Sequence, residues 1–315
     1  MKKQERLSRL EHAVGTFFFH FFLGFLRILP WCIFRPLAKL AVTVLYLVSP
    51  KMGRYALEGL DIAFGDVIPR REKKILARRS FFALAEGLAW FMYTIEHPRI
   101  VESYFTMEGR EHLDQALAKG KGAVIAVGHV GPFVWMMQHF LQKGYKVNVV
   151  MRPPRSAALR AALLKKSLDR GGLITIYSVP IRTCVVECFQ ALKRGEIVFL
   201  PIDQNYGSAG RVFVDFFSRK AATAPGVIGY SLKTGAEVLM AVSVPEKDGR
   251  FRTIIEPFAI EPQAEERQTL IHNTARLTAR LEYFIRQHPD QWSWMHRRWK
   301  AIPKEGEVTG GSHVD

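Results

Sequence analysis

The stretch Lys119–Trp135, KGKGAVIAVGHVGPFVW, decides the fold of this chain. Its apolar centre, Ala123–Val127, is bounded by glycines, a pattern typical of a short buried strand. The segment 128–132, GHVGP, then breaks the backbone before a second apolar segment, Phe133–Leu141, of helical length. Open α/β sheets bind ligands beyond the carboxyl ends of their strands, which is where His129 stands. Because histidine can accept a proton near neutral pH, we take His129 as a candidate base; a core or helix-capping histidine is the alternative.

Positive charge dominates the composition: 45 Lys and Arg against 29 Asp and Glu give a formal net charge of +16 over 315 residues. Such an excess favours nucleic acid, an anionic membrane surface or phosphorylated substrates as partners. The chain also contains 22 phenylalanines. No RNP, zinc-finger or helix-turn-helix pattern accompanies the charge. We therefore expect a membrane-associated protein and no nucleic-acid partner.

Three cysteines, Cys32, Cys184 and Cys188, provide no disulfide framework. Cys184 and Cys188 are spaced to share one face of a helix, but no further His or Cys cluster accompanies them. The sequence therefore predicts packing residues, no metal site and a reducing, cytoplasmic environment.

The amino-terminal region predicts a hydrophobic anchor. Residues Ala13–Phe34 are apolar except for His20 and Arg27, and about 20 helical residues can cross a hydrocarbon core. The basic residues before this stretch favour a cytoplasmic amino terminus, and Pro36–Val48 predicts an amphipathic surface helix. The alternative is a buried helical hairpin. We divide the chain into an anchor and amphipathic segment (1–50), a main domain (51–303) and a disordered tail (304–315).

Beyond Tyr104 the pattern alternates between strands and helices, which predicts an α/β domain with a largely parallel sheet. Lys51–Glu96 before it is expected to be helical. The predicted strands are Ala123–Val127, Lys146–Met151, Leu173–Tyr177, Ile197–Ile202, Glu237–Val244 and Arg252–Glu256. The predicted helices are Arg110–Ala118, Phe133–Leu141, Ser156–Arg170, Thr183–Arg194, Ala222–Thr234 and Ala264–Gln287.

Further candidate residues follow the later strands. Arg152 ends the second strand, where its planar fork suits a phosphate or carboxylate. Asp203 and Gln204 follow the fourth strand, and if that strand lies beside Ala123–Val127, Asp203 emerges at the same sheet edge as His129. Thr223 is expected to cap the helix that begins near Pro225.

These residues carry a resemblance to the lipid A biosynthesis acyltransferases, the lauroyl and myristoyl transferases, a group related to mycobacterial phosphatidylinositol mannoside acyltransferases. The resemblance covers nearly the whole chain. The segments that carry it are the amino-terminal apolar stretch, Gly128–Gly131, Arg152, Leu192–Glu196, Asp203-Gln204, Val212–Phe217 and the block His288–Lys300, HPDQWSWMHRRWK. It implies a glycerolipid-acyltransferase-like layered α/β fold with a mainly parallel sheet and an acyl groove.

One position departs from the family pattern, which places Asp or Glu five residues after the histidine. Here that position is Val134. Two interpretations follow. Asp203 supplies the orienting acid from the neighbouring loop, or the chain is a catalytically impaired family member that only binds lipid.

The resemblance implies transfer of a fatty acyl group from an acyl carrier protein or coenzyme A thioester to a hydroxyl of a lipid A precursor or related glycolipid. No cofactor is expected, and the location implied is the cytoplasmic face of the inner membrane. His129 would act as base, oriented by Asp203, with an N–H near Gly131 or a nearby Arg at the oxyanion. Arg152 and Arg211 would hold the acceptor phosphate, with Gln204 among the substrate contacts. His296, Arg297-Arg298 and the tryptophans of the last block are expected to form a packed, interface-facing cap.

Overall fold

The computed structural model describes residues 24, 26–153, 173–207, 210–304 and 309–310. Within these ranges the glycine-bounded apolar runs form strands, and the longer segments with 3.6-residue periodicity form helices. The helices are α1 (Trp31–Leu47), α2 (Pro50–Phe64), α3 (Arg70–Thr94), α4 (Arg99–Tyr104), α5 (Arg110–Ala118), α6 (Phe133–Gln142), α7 (Ile181–Lys193), α8 (Gly226–Thr234) and α9 (Glu266–Gln287). The strands are β1 (Phe105–Glu108), β2 (Ala123–Val127), β3 (Val147–Met151), β4 (Leu173–Tyr177), β5 (Ile197–Pro201), β6 (Val212–Phe216), β7 (Arg219–Thr223), β8 (Glu237–Pro245), β9 (Phe251–Phe258) and β10 (Thr309–Gly310).

Seven of these strands form one sheet in the order β1-β9-β8-β2-β5-β3-β4. Strands β8, β2, β5, β3 and β4 are parallel to one another, whereas β9 is antiparallel to β8 and β1 is parallel to β9. The mainly parallel central sheet predicted from the alternating pattern is therefore confirmed. β1 was not among the predicted strands, because its sequence FTME is too short and too mixed to indicate one.

Strand β2 lies at the centre of the seven-stranded sheet. All five residues of β2 are buried, and β2 pairs with β8 on one side and β5 on the other. Apolar clusters cover both faces of the sheet. The register pairs Val127 with Pro201, the last residues of β2 and β5. The loops that follow β2 and β5 therefore begin next to each other.

A second sheet, in the order β10-β6-β7, corrects one predicted helix. β6 and β7 form an antiparallel hairpin whose turn residues, Phe217 and Ser218, have φ of 50° and 56°. Because Ala222 and Thr223 belong to β7, helix α8 begins only at Gly226. The prediction that Thr223 caps this helix is wrong: its hydroxyl donates to the Ala221 carbonyl. The predicted helix Lys51–Glu96 is also divided, into α2 and α3, by a single turn of tighter helix at Gly65–Val67.

Helix α1 packs antiparallel to α3. Phe34 stacks on Tyr93 with ring centroids 4.4 Å apart, and Tyr46 contacts Phe81 at 5.2 Å. In the described part of the chain, no single helix is both long enough and apolar enough to span a membrane. The bent pair 31–47 and 50–67, with 80° between its halves, meets those criteria of length and composition jointly.

Several predictions lie wholly or partly outside the described residues. They are the anchor up to residue 23, the helix 156–170 and most of the tail after residue 304. The hydrophobic anchor is therefore not confirmed.

Candidate active site

His129 and Asp203 stand at equivalent places on neighbouring strands. Each lies two residues beyond the end of its strand, β2 or β5, and those ends are paired in register. The Ile202 N–H donates to the Val127 carbonyl at 3.0 Å, which extends the pairing by one step. The sheet therefore brings the two predicted residues together at its carboxyl edge.

The two side chains form a close hydrogen-bonded pair. His129 Nδ1 lies 2.8 Å from Asp203 Oδ1, and the backbone N–H of His129 donates to Asp203 Oδ2 at 2.7 Å. The Trp292 indole N–H donates to the same Oδ2, also at 2.7 Å. The Asp203 side chain is 1 % exposed, whereas that of His129 is 17 % exposed. The carboxylate is thus buried beneath an imidazole that still reaches solvent.

These contacts favour the charged form of Asp203 and one tautomer of His129. Burial alone would raise the pKa of Asp203. The charge of His129, its ring and backbone N–H groups and the Trp292 N–H outweigh burial and hold that pKa well below its usual range. Because a carboxylate only accepts hydrogen bonds, His129 Nδ1 must carry the donated proton. In the neutral ring, Nε2 then carries the lone pair that a base needs.

Gln204 covers that lone pair. Its side-chain Nε2 lies 2.9 Å from His129 Nε2, and an amide nitrogen can only donate. The assignment agrees with the tautomer deduced from Asp203. Gln204 itself is exposed. An incoming hydroxyl must therefore displace this amide to reach the imidazole.

The loop that carries His129 is paired with the last aromatic block of the chain. The Ser293 N–H donates to the His129 carbonyl at 3.1 Å, and the Gly131 N–H donates to the Gln291 carbonyl at 2.9 Å. Val130 and Trp292 form an antiparallel bridge between them. The Gly131 N–H is therefore engaged within the protein and is not free to donate to an oxyanion. Gly131 has φ +57°, and a Cβ there would lie 2.5 Å from the Ser243 carbonyl oxygen, so its role is conformational.

The two predicted arginines have different positions. Arg152 is exposed just beyond the end of β3 and lies near enough for its charge to act on His296. Arg211 precedes β6 in the second sheet, with its guanidinium 5.5 Å from the centroid of the Phe213 ring. The structure thus brings Arg152 towards the pair, whereas the guanidinium of Arg211 lies beside Phe213 at the start of β6.

Two residues of the terminal block were not predicted as parts of the site. His296 accepts a hydrogen bond from the Asn205 N–H at 2.7 Å, and burial lowers its pKa to about 4, so the ring is neutral at pH 7. Arg298, fully buried, donates to the Gln204 carbonyl at 2.9 Å and to Thr223 Oγ1 at 2.6 Å. The block is packed as expected, and it also contacts the loop that carries Asp203 and Gln204.

No metal centre accompanies these residues: across the described ranges, no group of three or more His, Cys, Asp or Glu side chains is arranged to hold a metal ion. Cys184 and Cys188 are both buried on α7 within the core, as the sequence predicted for packing residues. The polar groups that the structure brings together at the site are the imidazole, the carboxylate and the surrounding hydrogen-bond donors.

Known proteins are similar in sequence to this chain over most of its length. The lipid A biosynthesis palmitoleoyltransferase of Escherichia coli (strain K12) is 27 % identical over 257 residues, which cover 79 % of this chain and 78 % of that protein. The E. coli lipid A biosynthesis lauroyltransferase is 24 % identical over 283 residues, 84 % of this chain and 88 % of the relative. A lipid A biosynthesis acyltransferase of Haemophilus influenzae is 23 % identical over 269 residues, 82 % and 80 % of the two chains.

The family model described as bacterial lipid A biosynthesis acyltransferase matches residues 1–301. This range contains β2, β5 and the aromatic block, which together build the His129–Asp203 pair. The resemblance inferred from the motifs is thereby confirmed. The chain is an acyltransferase and belongs to the bacterial lipid A biosynthesis acyltransferase family.

Proposed function

We propose that the protein transfers a fatty acyl group from an acyl thioester to a hydroxyl of a lipid A precursor or related glycolipid, with His129 as general base. The observation that supports this proposal is the 2.8 Å contact between His129 Nδ1 and the buried Asp203 carboxylate. A base with a fixed tautomer and an anionic partner is what proton removal from a hydroxyl requires.

The reaction begins when the acceptor hydroxyl displaces the Gln204 amide from His129 Nε2. Nε2 takes the hydroxyl proton while the oxygen attacks the thioester carbonyl carbon. The tetrahedral intermediate then collapses, the C–S bond breaks, and the departing thiolate takes the proton from the imidazolium. The products are the acyl ester and the free thiol of the donor. Asp203 stabilises the imidazolium that exists between the two proton transfers.

Charge on the intermediate needs a donor other than Gly131. We assign this role to the amino terminus of α6, which begins four residues after His129 and whose first N–H groups have no acceptor within the helix. Phe133, the first residue of α6, contacts the His129 ring with centroids 4.4 Å apart. Arg152 and Arg211 are proposed to hold the acceptor phosphate, and Gln204 to bind the acceptor once displaced.

Val134 does not weaken this proposal. The family pattern places the acid at that position, but in this chain the carboxylate beside His129 is that of Asp203. The competing hypothesis, a catalytically impaired member that binds lipid, started from the absence of an orienting acid. The close contact between His129 and Asp203 supports the presence of such an acid, and we favour the active enzyme for that reason.

The test is His129→Ala, measured as transfer of a labelled acyl group to a lipid A precursor from either an acyl carrier protein or a coenzyme A thioester. We expect kcat to fall about 10²- to 10⁴-fold, the usual contribution of a general base. Asp203→Asn should lower kcat at least about tenfold while leaving acceptor KM within about threefold. The donor that supports turnover identifies the thioester class.

The matched control is His272→Ala. His272 also contacts a carboxylate at 2.7 Å, that of Glu261, but this pair lies exposed on α9 and the segment before it. Its loss should leave kcat within about twofold. If His129→Ala retains transfer at the level of the parent protein, the base is another group. If neither the parent protein nor His129→Ala transfers the acyl group while both bind lipid, the chain is the catalytically impaired lipid-binding protein.

We also propose that the enzyme acts at the cytoplasmic face of the inner membrane, where a glycolipid acceptor and a cytoplasmic thioester meet. The net charge of +16 and the apolar amino-terminal stretch support this location. Fractionation of cells that express the full chain tests the association with the inner membrane, and protease protection tests the position on its cytoplasmic face.

A further inference from the structure

Helix α1 has an exposed apolar stripe in addition to its buried face. Phe34, Ala38 and Val42 are buried against the rest of the protein. On the opposite side, large apolar residues recur every three or four positions, so they share one face of the helix. These residues are 47–71 % exposed and comprise Ile33, Leu37, Leu40, Val44 and Leu47, which we call the α1 stripe.

A cleft of about 300 Å³ lies beside this stripe, between α1 and α3. Two apolar side chains, Ile75 and Phe82, line it together with three cationic side chains, Lys39, Arg78 and Arg79. The Arg78 guanidinium lies 5.6 Å from the centroid of the Phe82 ring. We call this the α1–α3 cleft. None of its lining residues belongs to the His129–Asp203 pair or to the loops that follow β2 and β5.

The cleft has the chemistry of an anion site bordered by apolar surface. Glu86, on α3, faces Lys39 and Arg35 and balances part of the positive charge. Arg78 and Arg79 are both exposed, and the exposed cations Arg71 and Lys74 precede them on the same helix. The local balance stays positive. Guanidinium groups bind phosphate oxygens through two parallel hydrogen bonds, so phosphate is the anion that suits this set.

The α1 stripe distinguishes between two possible partners that carry anionic groups, an acidic protein and a lipid bilayer. An acidic protein would use the cations but leave the apolar stripe exposed to water. A lipid bilayer offers phosphates at its surface and hydrocarbon just below, and helices with one apolar and one basic face lie in that boundary. We propose that α1 lies in the surface of an anionic membrane, with its stripe among the acyl chains and the phosphate of an anionic phospholipid headgroup in the α1–α3 cleft. This inference rests on the proposed function only in taking the acceptor to be a membrane lipid.

The experiment measures partition of the full chain onto vesicles of phosphatidylcholine alone and onto vesicles that also contain phosphatidylglycerol. The ratio of the two partition coefficients isolates the headgroup contribution, because apolar contributions, including any from residues 1–23, are common to both. The test variant is K39Q/R78Q/R79Q. We expect the ratio to fall about fivefold for each cation removed, or about a hundredfold in the triple variant.

The matched control removes three exposed cations outside the cleft, as K233Q/K247Q/R267Q. It changes net charge equally, but charges farther from the surface than a Debye length of about 10 Å are largely screened. Its ratio should change less than about threefold. Equal losses in both triple variants would show a general charge effect and overturn the proposal.

A second variant, L40S/V44S, tests the stripe. It should weaken partition onto both vesicle types while leaving their ratio unchanged. Partition that is unaffected on both types contradicts the placement of α1. If K39Q/R78Q/R79Q keeps its vesicle ratio but loses binding to an acidic acyl carrier protein, the cleft is a protein-docking surface and the lipid proposal is wrong.

Activity separates this inference from the proposed function. With acceptor dispersed in detergent micelles, K39Q/R78Q/R79Q should keep kcat within about twofold, because its residues lie outside the catalytic pair. His129→Ala should keep the parent vesicle ratio. A triple variant with normal vesicle partition overturns the lipid site alone, whereas an active His129→Ala overturns the proposed base alone.

Discussion

Gly131 is a position of the His129 loop at which a side chain does not fit. Its φ is +57°, and an added Cβ would meet the Ser243 carbonyl oxygen at 2.5 Å. Gly131→Ala should therefore lower the free energy of unfolding by more than about 3 kcal/mol, as left-handed strain and a backbone clash combine. We also expect a loss of kcat, because His129 lies two residues away. Urea unfolding and the acyl-transfer assay measure the two effects.

Gly120 provides the control for that prediction. It also has positive φ, +70°, but open space surrounds its Cβ position. Gly120→Ala should cost only about 1 kcal/mol and leave kcat unchanged. Equal destabilisation by the two substitutions would mean that the contact with Ser243 does not matter.

At the residue scale, the sequence predicted the pair but not its supports. His129 and Asp203 could be placed because each follows a short apolar run, and ends of adjacent parallel strands meet. The Trp292 hydrogen bond to Asp203 joins residues 89 positions apart, and no local pattern specifies such a contact. The hydrogen bond from the Gly131 N–H to the Gln291 carbonyl could not be predicted for the same reason. It occupies the N–H that was expected to donate to the oxyanion.

At the element scale, the β6–β7 hairpin shows where local pattern fails. Strand β7 reads RKAAT, whose alanines favour helix, and the sequence therefore predicted a helix from Ala222. The segment is extended because it pairs with all five residues of β6. By contrast, β2 and β8 are long enough and apolar enough to be identified from the sequence alone.

Arg298 connects this hairpin to the loop that carries Asp203 and Gln204. It donates to the carbonyls of Gln204 and Ala222 and to the Thr223 hydroxyl while fully buried. Arg298→Lys keeps a charge but loses the fork that reaches all three acceptors. We expect the free energy of unfolding to fall by about 2 kcal/mol or more, with a lower kcat, because the buried Thr223 hydroxyl and the carbonyls of Gln204 and Ala222 each lose a charged donor.

Arg297→Lys is the matched control for the Arg298 substitution. Arg297 is exposed, 5.2 Å from the centroid of the Tyr55 ring, and its replacement should change the free energy of unfolding by less than about 0.5 kcal/mol. Denaturant unfolding of both variants tests the difference. Similar effects at the two positions would argue against a stabilising role for the hydrogen bonds of Arg298.

At the scale of the whole molecule, stability should depend on pH through a buried histidine. Within the described residues neither ring nitrogen of His139 has a hydrogen-bond partner. Burial lowers its pKa to about 4, and the charges of Lys143 and Arg110 lower it while that of Glu102 raises it. The unfolded chain, with a pKa near 6.5, binds more protons between about pH 6.5 and 4, so stability falls as pH falls through this window.

His139→Leu removes that linkage. Its free energy of unfolding should drop less than that of the parent between pH 7 and pH 5, by about 2 kcal/mol. Urea titrations at the two pH values measure the difference. Identical pH dependence in both proteins would show that His139 does not account for the acid sensitivity.

The class of the whole molecule could be predicted because alternating apolar runs specify a parallel sheet at a coarse level. The order of its strands could not, since β8 and β5 flank β2 only through contacts distant in sequence. The parts of the anchor and tail predictions that lie outside the described residues stay predictions.

The pairing of the His129 loop with residues 291–293 has a consequence for the order of synthesis. A ribosome adds about 5–20 residues per second, so on the order of ten seconds separates the emergence of His129 from that of Trp292. Until then Asp203 lacks its indole donor and the loop has no strand beside it. The hydrogen bonds that hold the His129 loop against residues 291–293 therefore form late, when most of the chain has already left the ribosome.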